Sequence, residues 1–180
     1  MLDITQATLT DSESVLSNGS QHTLSVYVSN RPGVLARVAQ TFARRGFNIE
    51  SLVVSPGRNE NFSRMSIGVS GDPSMLEQII KQLMKLVDVV HCTDHTFDNS
   101  VVKELCLIKI VCSAPERSEI LQIAEHFGCK TVDLTKDSLI LMVTGDSTKL
   151  DALLEMTSTF EVIEIVRTGK VVMARGSSIT

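Results

Sequence analysis

Leu24-Ser25-Val26-Tyr27-Val28-Ser29-Asn30-Arg31-Pro32-Gly33-Val34-Leu35-Ala36-Arg37-Val38-Ala39-Gln40-Thr41-Phe42 changes period in its middle. Leu24, Val26 and Val28 alternate with Ser25, Tyr27 and Ser29, the spacing of a half-buried strand. Asn30-Arg31-Pro32-Gly33 breaks that spacing. From there Val34, Leu35, Val38 and Phe42 share one helical face, while Arg37, Thr41, Arg44 and Arg45 lie outside it. Gly46 suits the end of this helix, because glycine accepts the positive φ of a helix terminus.

Downstream, 47–55 and 62–70 are predicted strands around the polar loop Pro56-Gly57-Arg58-Asn59-Glu60-Asn61. Asp72 and Pro73 supply a cap and a first helical residue. Leu76, Ile79, Ile80, Leu83 and Val87 are expected to form the buried stripe of that helix, and 88–97 a fourth strand. The order β-α-β-β-α-β is a split βαβ plan, with two helices on one face of a four-stranded antiparallel sheet.

The plan then repeats. Strand 104–112 leads to a helix carrying Ile120, Leu121, Ala124 and Phe127 and ended by Gly128. Strands 129–135 and 138–144 flank Lys136-Asp137. Asp146 caps a helix with Leu150, Leu153 and Leu154, and 160–168 is the last strand. Pro32 to Pro115 is a shift of 83, Gly46 to Gly128 of 82 and Asp72 to Asp146 of 74, so the second unit has the shorter central hairpin. The fold class is therefore α+β, two ferredoxin-like βαββαβ units in tandem. The expected layout is a disordered arm over 1–21, a first domain over 22–97, a linker over 98–103, a second domain over 104–170 and a tail over 171–180.

Composition limits the function. The net charge of −4 implies no broad basic surface for nucleic acid. The first 21 residues hold no Lys or Arg but do hold Asp3, Asp11 and Glu13, which opposes a secretory signal or a transit peptide. Cys92, Cys106, Cys112 and Cys129 form no Cys-x-x-Cys pair and sit in apolar runs, as buried reduced thiols of a cytoplasmic chain would. Gly-x-Ser-x-Gly, His-Glu-x-x-His and Gly-x-Gly-x-x-Gly are all missing. In His91-Cys92-Thr93-Asp94-His95, alternation along a strand puts His91, Thr93 and His95 on one face and Cys92 and Asp94 on the other. At most two ligands converge there, too few for a closed zinc site.

The turn after the first strand is better suited to a ligand. A helix opening at Pro32-Gly33 presents unpaired N–H groups and a positive dipole end, which favour a carboxylate, and Gly33 has no side chain to block it. Asn30 and Asn48 are read as leaving adjacent strands on the edge where that helix starts, placed to hydrogen-bond the ammonium or carboxylate of a free amino acid. On residue type alone, Asn30 as a helix cap and Asn48 as a turn former explain the amides equally well.

At these residues the sequence resembles an ACT domain, a ferredoxin-like ligand-sensing module of amino-acid metabolism. Asn30-Arg31-Pro32-Gly33-Val34-Leu35 resembles its signature loop, and Gly46, Asn48 and Ile49 its second strand. Several longer runs are similar to the acetolactate synthase small-subunit family: Arg45-Gly46-Phe47-Asn48-Ile49-Glu50-Ser51-Leu52, Ser63-Arg64-Met65, Leu76-Glu77-Gln78-Ile79 and Lys85-Leu86-Val87-Asp88-Val89. The likeness weakens through Glu104-Leu105, Leu107-Ile108-Lys109 and Lys149-Leu150-Asp151. It spans about residues 22–176. It implies a non-catalytic regulatory chain with no cofactor of its own. A branched-chain amino acid, valine first, would bind between two copies at Asn30, Gly33, Val34, Leu35, Asn48 and Ile49. The implied partner is a catalytic subunit carrying thiamine diphosphate, flavin and magnesium. The arm is longer than this family usually shows, and the histidines of 91–95 are unusual in it. A free-standing tandem sensor acting on a transcription regulator by protein contact is the alternative. A small ferredoxin-like enzyme is a third class, for which no convergent acid, base or nucleophile is visible.

Overall fold

The structure is a computed structural model that describes residues 20–96, 99–177 and Thr180. Residues 1–19 of the expected arm lie outside the described residues, whereas Ser20 and Gln21 already belong to the first strand. The first unit runs β1 (Ser20–Ser29), α1 (Val34–Ala43), β2 (Ile49–Pro56), β3 (Phe62–Gly71), α2 (Pro73–Leu83) and β4 (Val89–Asp94). Its antiparallel sheet has the order β2-β3-β1-β4. The second unit runs β5 (Ser100–Val111), α3 (Ala114–His126), β6 (Lys130–Leu134), β7 (Ser138–Gly145), α4 (Ser147–Thr157) and β8 (Glu161–Arg167), with the order β6-β7-β5-β8.

Each unit buries its own core. Leu24, Val26 and Val28 of β1 and Met65, Ile67 and Val69 of β3 meet Val34, Val38 and Phe42 of α1 and Leu76, Ile79 and Leu83 of α2. Cys106, Ile108 and Ile110 of β5 and Leu139, Leu141 and Val143 of β7 meet Ile120, Ala124, Leu150 and Leu153 in the same way. Alternation selects the strand faces and the 3.6-residue period selects the helix stripes. Asp72 Oδ1 accepts from Ser74 N (2.7 Å) and Asp146 Oδ1 from Lys149 N (2.9 Å), so both expected caps form. All four thiols are reduced, and burial pushes that of Cys92 up to about 12, with Asp94 adding to the effect.

Three expectations are corrected. The expected linker is strand from Ser100 onward, and the expected tail contains β9 (Val171–Ala174). The two pair antiparallel, Val101 with Met173 and Val102 with Val172, so each supplies the ladder partner that the other's short apolar run lacks. Val87 does not continue the buried stripe of α2. The helix stops at Leu83, Leu86 turns in toward the core instead, and Val87 is 97% exposed. Leu121 is also more than a third exposed on α3.

The segment after β8 meets the helix-free face of the first sheet, which is lined by small polar residues. Thr23, Ser25 and Ser66 are buried there although no helix covers them. Gly169, at φ 79°, stands against Ser51 of β2, where any Cβ would collide with the serine side chain. Lys170 Nζ then donates to Gln21 Oε1 (3.3 Å).

A cleft of about 290 Å³ lies beside this junction, lined by residues of both units including Glu50, Ser51, Glu104, Asp151, Arg167 and Lys170. Three of its charges, Arg167, Glu104 and Asp151, satisfy one another. Arg167 Nη2 donates to Glu104 Oε2 (2.7 Å) and Nη1 to Asp151 Oδ1 (2.6 Å), and Ser147 donates to the other Glu104 oxygen. Only 4% of the Glu104 side chain is exposed, so Arg167→Ala strands a buried carboxylate. A cost of about 3 kcal/mol is expected in urea unfolding, with recovery in Glu104→Met/Arg167→Leu. A loss below about 0.5 kcal/mol, the size of an ordinary surface substitution, would show the network to be ornamental.

Candidate effector site

The site predicted from sequence begins where β1 ends. Asn30 N donates to Asn61 O (2.7 Å) and Asn30 Nδ2 to Glu60 O (2.9 Å), which ties this exposed residue to the β2–β3 hairpin rather than to the helix. Gly33 occupies the cap position of α1 with φ 85° and ψ −11°, a left-handed conformation that strains any residue with a Cβ. Among the described residues no side chain caps α1, unlike α2 and α4 with their aspartates. Val34 N donates to Arg31 O (3.4 Å), so the N–H groups of Leu35 and Ala36 are the ones left for an external acceptor.

Val34 is buried in the core, whereas Leu35 is 41% exposed in the same helical turn. Ile49 is half-buried, packed on the core and paired with Val69, and Asn48 before it is exposed. The turn of α1 is fastened from below. Arg37 Nε and Nη2 donate to Asp88 Oδ2 at 2.8 and 2.7 Å, and the Asp88 carbonyl accepts from Ser29 N (2.8 Å). This ion pair carried no sequence signal, because its partners are 51 residues apart.

The two amides do not converge within one chain. They were expected to leave adjacent strands on one edge, but β3 lies between β1 and β2. Because β1 and β2 both run antiparallel to β3, they are parallel to each other, and the exit of one lies at the opposite end of the sheet from the entry of the other. Ser29 pairs with Phe62 and Ile49 with Val69. Seven residues of β3 therefore separate the two ends, about 23 Å at the usual strand rise.

A single copy thus carries the two predicted amides at opposite ends of its sheet. Strand β2 is an edge of the sheet. A second β2 paired against it antiparallel, about a two-fold axis, would bring the Asn48 end of one copy alongside the α1 N-terminus of the other. His91 Nε2 shares a hydrogen with Thr93 Oγ1 (2.7 Å), Cys92 lies in the core, and among the described residues no group of three His, Cys, Asp or Glu side chains is placed to hold an ion.

Comparison with known proteins places both halves of the chain in one family. Residues 24–91 match the AHAS small subunit-like ACT domain, and residues 103–176 match the small subunit of acetolactate synthase. A probable acetolactate synthase small subunit of Archaeoglobus fulgidus is 45% identical over 157 residues, covering 87% of this chain and 98% of the relative. The acetolactate synthase small subunit of Mycolicibacterium smegmatis is 46% identical over 162 residues, covering 89% and 95%. The crystal structure of the acetolactate synthase small subunit from Thermotoga maritima superposes with a TM-score of 0.79 at 39% identity, covering 88% of this chain and 99% of that one.

Proposed function

The chain belongs to the family of acetolactate synthase small subunits, the regulatory chains of that enzyme, and on that footing we propose that it senses a branched-chain amino acid, valine first, and confers both activation and feedback inhibition on the catalytic subunit. The observation that carries the sensing role is the bare N-terminus of α1. Its cap is a glycine, its N–H groups have no side-chain acceptor, and Asn30 stands next to it. A ligand carboxylate fits the dipole end of the helix. Asn48 of a second copy faces the other end of the same small molecule, and the exposed Leu35 offers an apolar neighbour for a branched side chain. The site is therefore shared across a homodimer, and occupancy favours one arrangement of the two copies over others.

Thiamine diphosphate, flavin and magnesium belong to the catalytic chain in this reading, and the small subunit acts only through contact. An effector that binds two states of the complex unequally shifts their balance by its difference in affinity, typically about 1–3 kcal/mol.

The test is reconstitution. The chain alone is expected to form no acetolactate from pyruvate. Added to its organism's catalytic subunit it should raise the rate, and valine should lower the rate of the mixture but not that of the catalytic subunit alone. A catalytic subunit indifferent to this chain, with and without valine, sinks the proposal. Co-purification with a DNA-binding protein instead would favour the tandem-sensor alternative.

A further inference from the structure

Val87 is the most exposed large apolar residue of the described chain, at 97%. A β-branched residue is an unusual choice for a tight corner, where Gly, Asn and Asp dominate for conformational reasons. This corner is nonetheless firmly held. Leu86 N donates to Leu83 O (3.0 Å) and Val89 N to Leu86 O (3.0 Å), while Leu86 packs on the core. Asp88 is buried, clamped by the two donors of Arg37 and by Ser29 N. Val87 is thus pinned outward from both sides. Met84, the C-cap of α2, is 44% exposed and Val90 is 51% exposed at the start of edge strand β4, and both flank it in sequence. Leu35 opens α1 at the same end of the unit.

The geometry points to this α2–β4 corner, with Val87 at its centre, as the surface that docks the catalytic subunit of acetolactate synthase. The inference deepens the regulatory reading and rests on it. Charge argues for a different protein as occupant. Arg31 and Lys85 border the corner and, among the described residues, pair with no carboxylate, while Asp88 is neutralised by Arg37. A second copy would bring the same basic rim against this one, and like charges oppose that contact. An apolar socket with acidic groups around it is complementary, and an apolar anchor within a polar rim is the usual anatomy of a contact surface. The corner also lies on the β4 side of the sheet, away from the β2 edge that faces the second copy in the shared effector site.

The corner is wired to the sensing loop. Ser29, just before Asn30, and Arg37, one turn after Gly33, both bond Asp88. A ligand that draws the N-terminus of α1 toward itself pulls on Arg37, and through Asp88 on the turn that presents Val87. Effector binding and docking are then coupled through two adjacent hydrogen-bonded links, with no change in the core of either unit.

The experiment uses the full chain carrying Val87→Asp, with Val87→Ile as its conservative partner. Activation of the catalytic subunit is titrated with each variant, valine binding is measured by calorimetry on the chain alone, and mass is followed by sedimentation. Val87→Asp should need at least tenfold more chain for half-maximal activation, while Val87→Ile stays within about threefold of the wild type. Valine binding and self-association should be unchanged in both, because the side chain touches neither the core nor the β2 edge. Activation by Val87→Asp at the wild-type concentration overturns the docking surface while leaving the regulatory reading intact. A change in self-association also overturns it, by assigning the corner to a second copy. A wild-type chain that never activates the catalytic subunit removes the regulatory reading, and this surface with it.

Discussion

A one-to-one mixture of Asn30→Ala and Asn48→Ala chains is expected to regain tight valine binding where each chain alone binds it roughly ten- to a hundredfold more weakly. Asn30 and Asn48 lie at opposite ends of one sheet, so a ligand that meets both takes them from two copies. In a two-fold dimer each of the two sites uses Asn30 of one copy and Asn48 of the other. Either substitution alone damages both sites of its homodimer. Loss of a hydrogen bond to a charged ligand group weakens binding by about 1.5–3 kcal/mol, or roughly ten- to a hundredfold. In a mixed dimer one site collects both alanines and the other collects both asparagines. Random exchange makes about half of the dimers mixed, so the mixture should regain about one wild-type site per four chains, against one per chain in the unsubstituted protein. Calorimetry after a denaturation and refolding step reads that stoichiometry directly. A mixture that binds no better than its parents would mean that both amides do not serve one shared site.

This prediction depends on a relation that the sequence did not reveal. The strands, helices and order of the first unit followed from period alone, because Leu24, Val26 and Val28 and then Val34, Val38 and Phe42 are driven by burial on one face. The caps Asp72 and Asp146 followed from residue chemistry acting within three residues. What failed was non-local. Which strands are neighbours depends on how a right-handed crossover inserts β3 between β1 and β2, and nothing in Asn30 or Asn48 records that. The pairing of 100–103 with 171–174 joins two segments each too short to show alternation. Val87 fits the helical spacing of α2, yet the ties of Asp88 to Arg37 and Ser29 end the stripe before it. Local periodicity thus specified the core but not the surfaces where one chain meets another. In a protein read as acting by contact, those surfaces are where regulation resides.

Gly33→Asp is expected to abolish valine binding while leaving activation of the catalytic subunit largely in place. By residue type alone an aspartate looks welcome at a loop-to-helix junction, but φ 85° at this position makes any Cβ strained. The strain is worth about 1 kcal/mol. That corresponds to a fall in melting temperature of about 4–8 °C for a unit of this size, so the chain still folds. A Cβ at Gly33 also approaches Arg37 Nη1 to 3.3 Å, which the long arginine side chain can accommodate. Gly33→Ala carries the same strain and the same contact without the charge, and so isolates what the carboxylate does. In Gly33→Asp that carboxylate sits at the α1 N-terminus, where it satisfies the open N–H groups as an internal cap and repels the ligand carboxylate. Alanine should therefore weaken valine binding by less than about tenfold, whereas aspartate removes it and with it the whole regulatory coupling of about 1–3 kcal/mol. Calorimetry with valine and an activation assay on both variants separate the cases. Unchanged affinity in Gly33→Asp would place the ligand carboxylate away from α1. Equal loss in the two variants would mean that the left-handed backbone of Gly33, rather than the open helix end, is what the ligand needs.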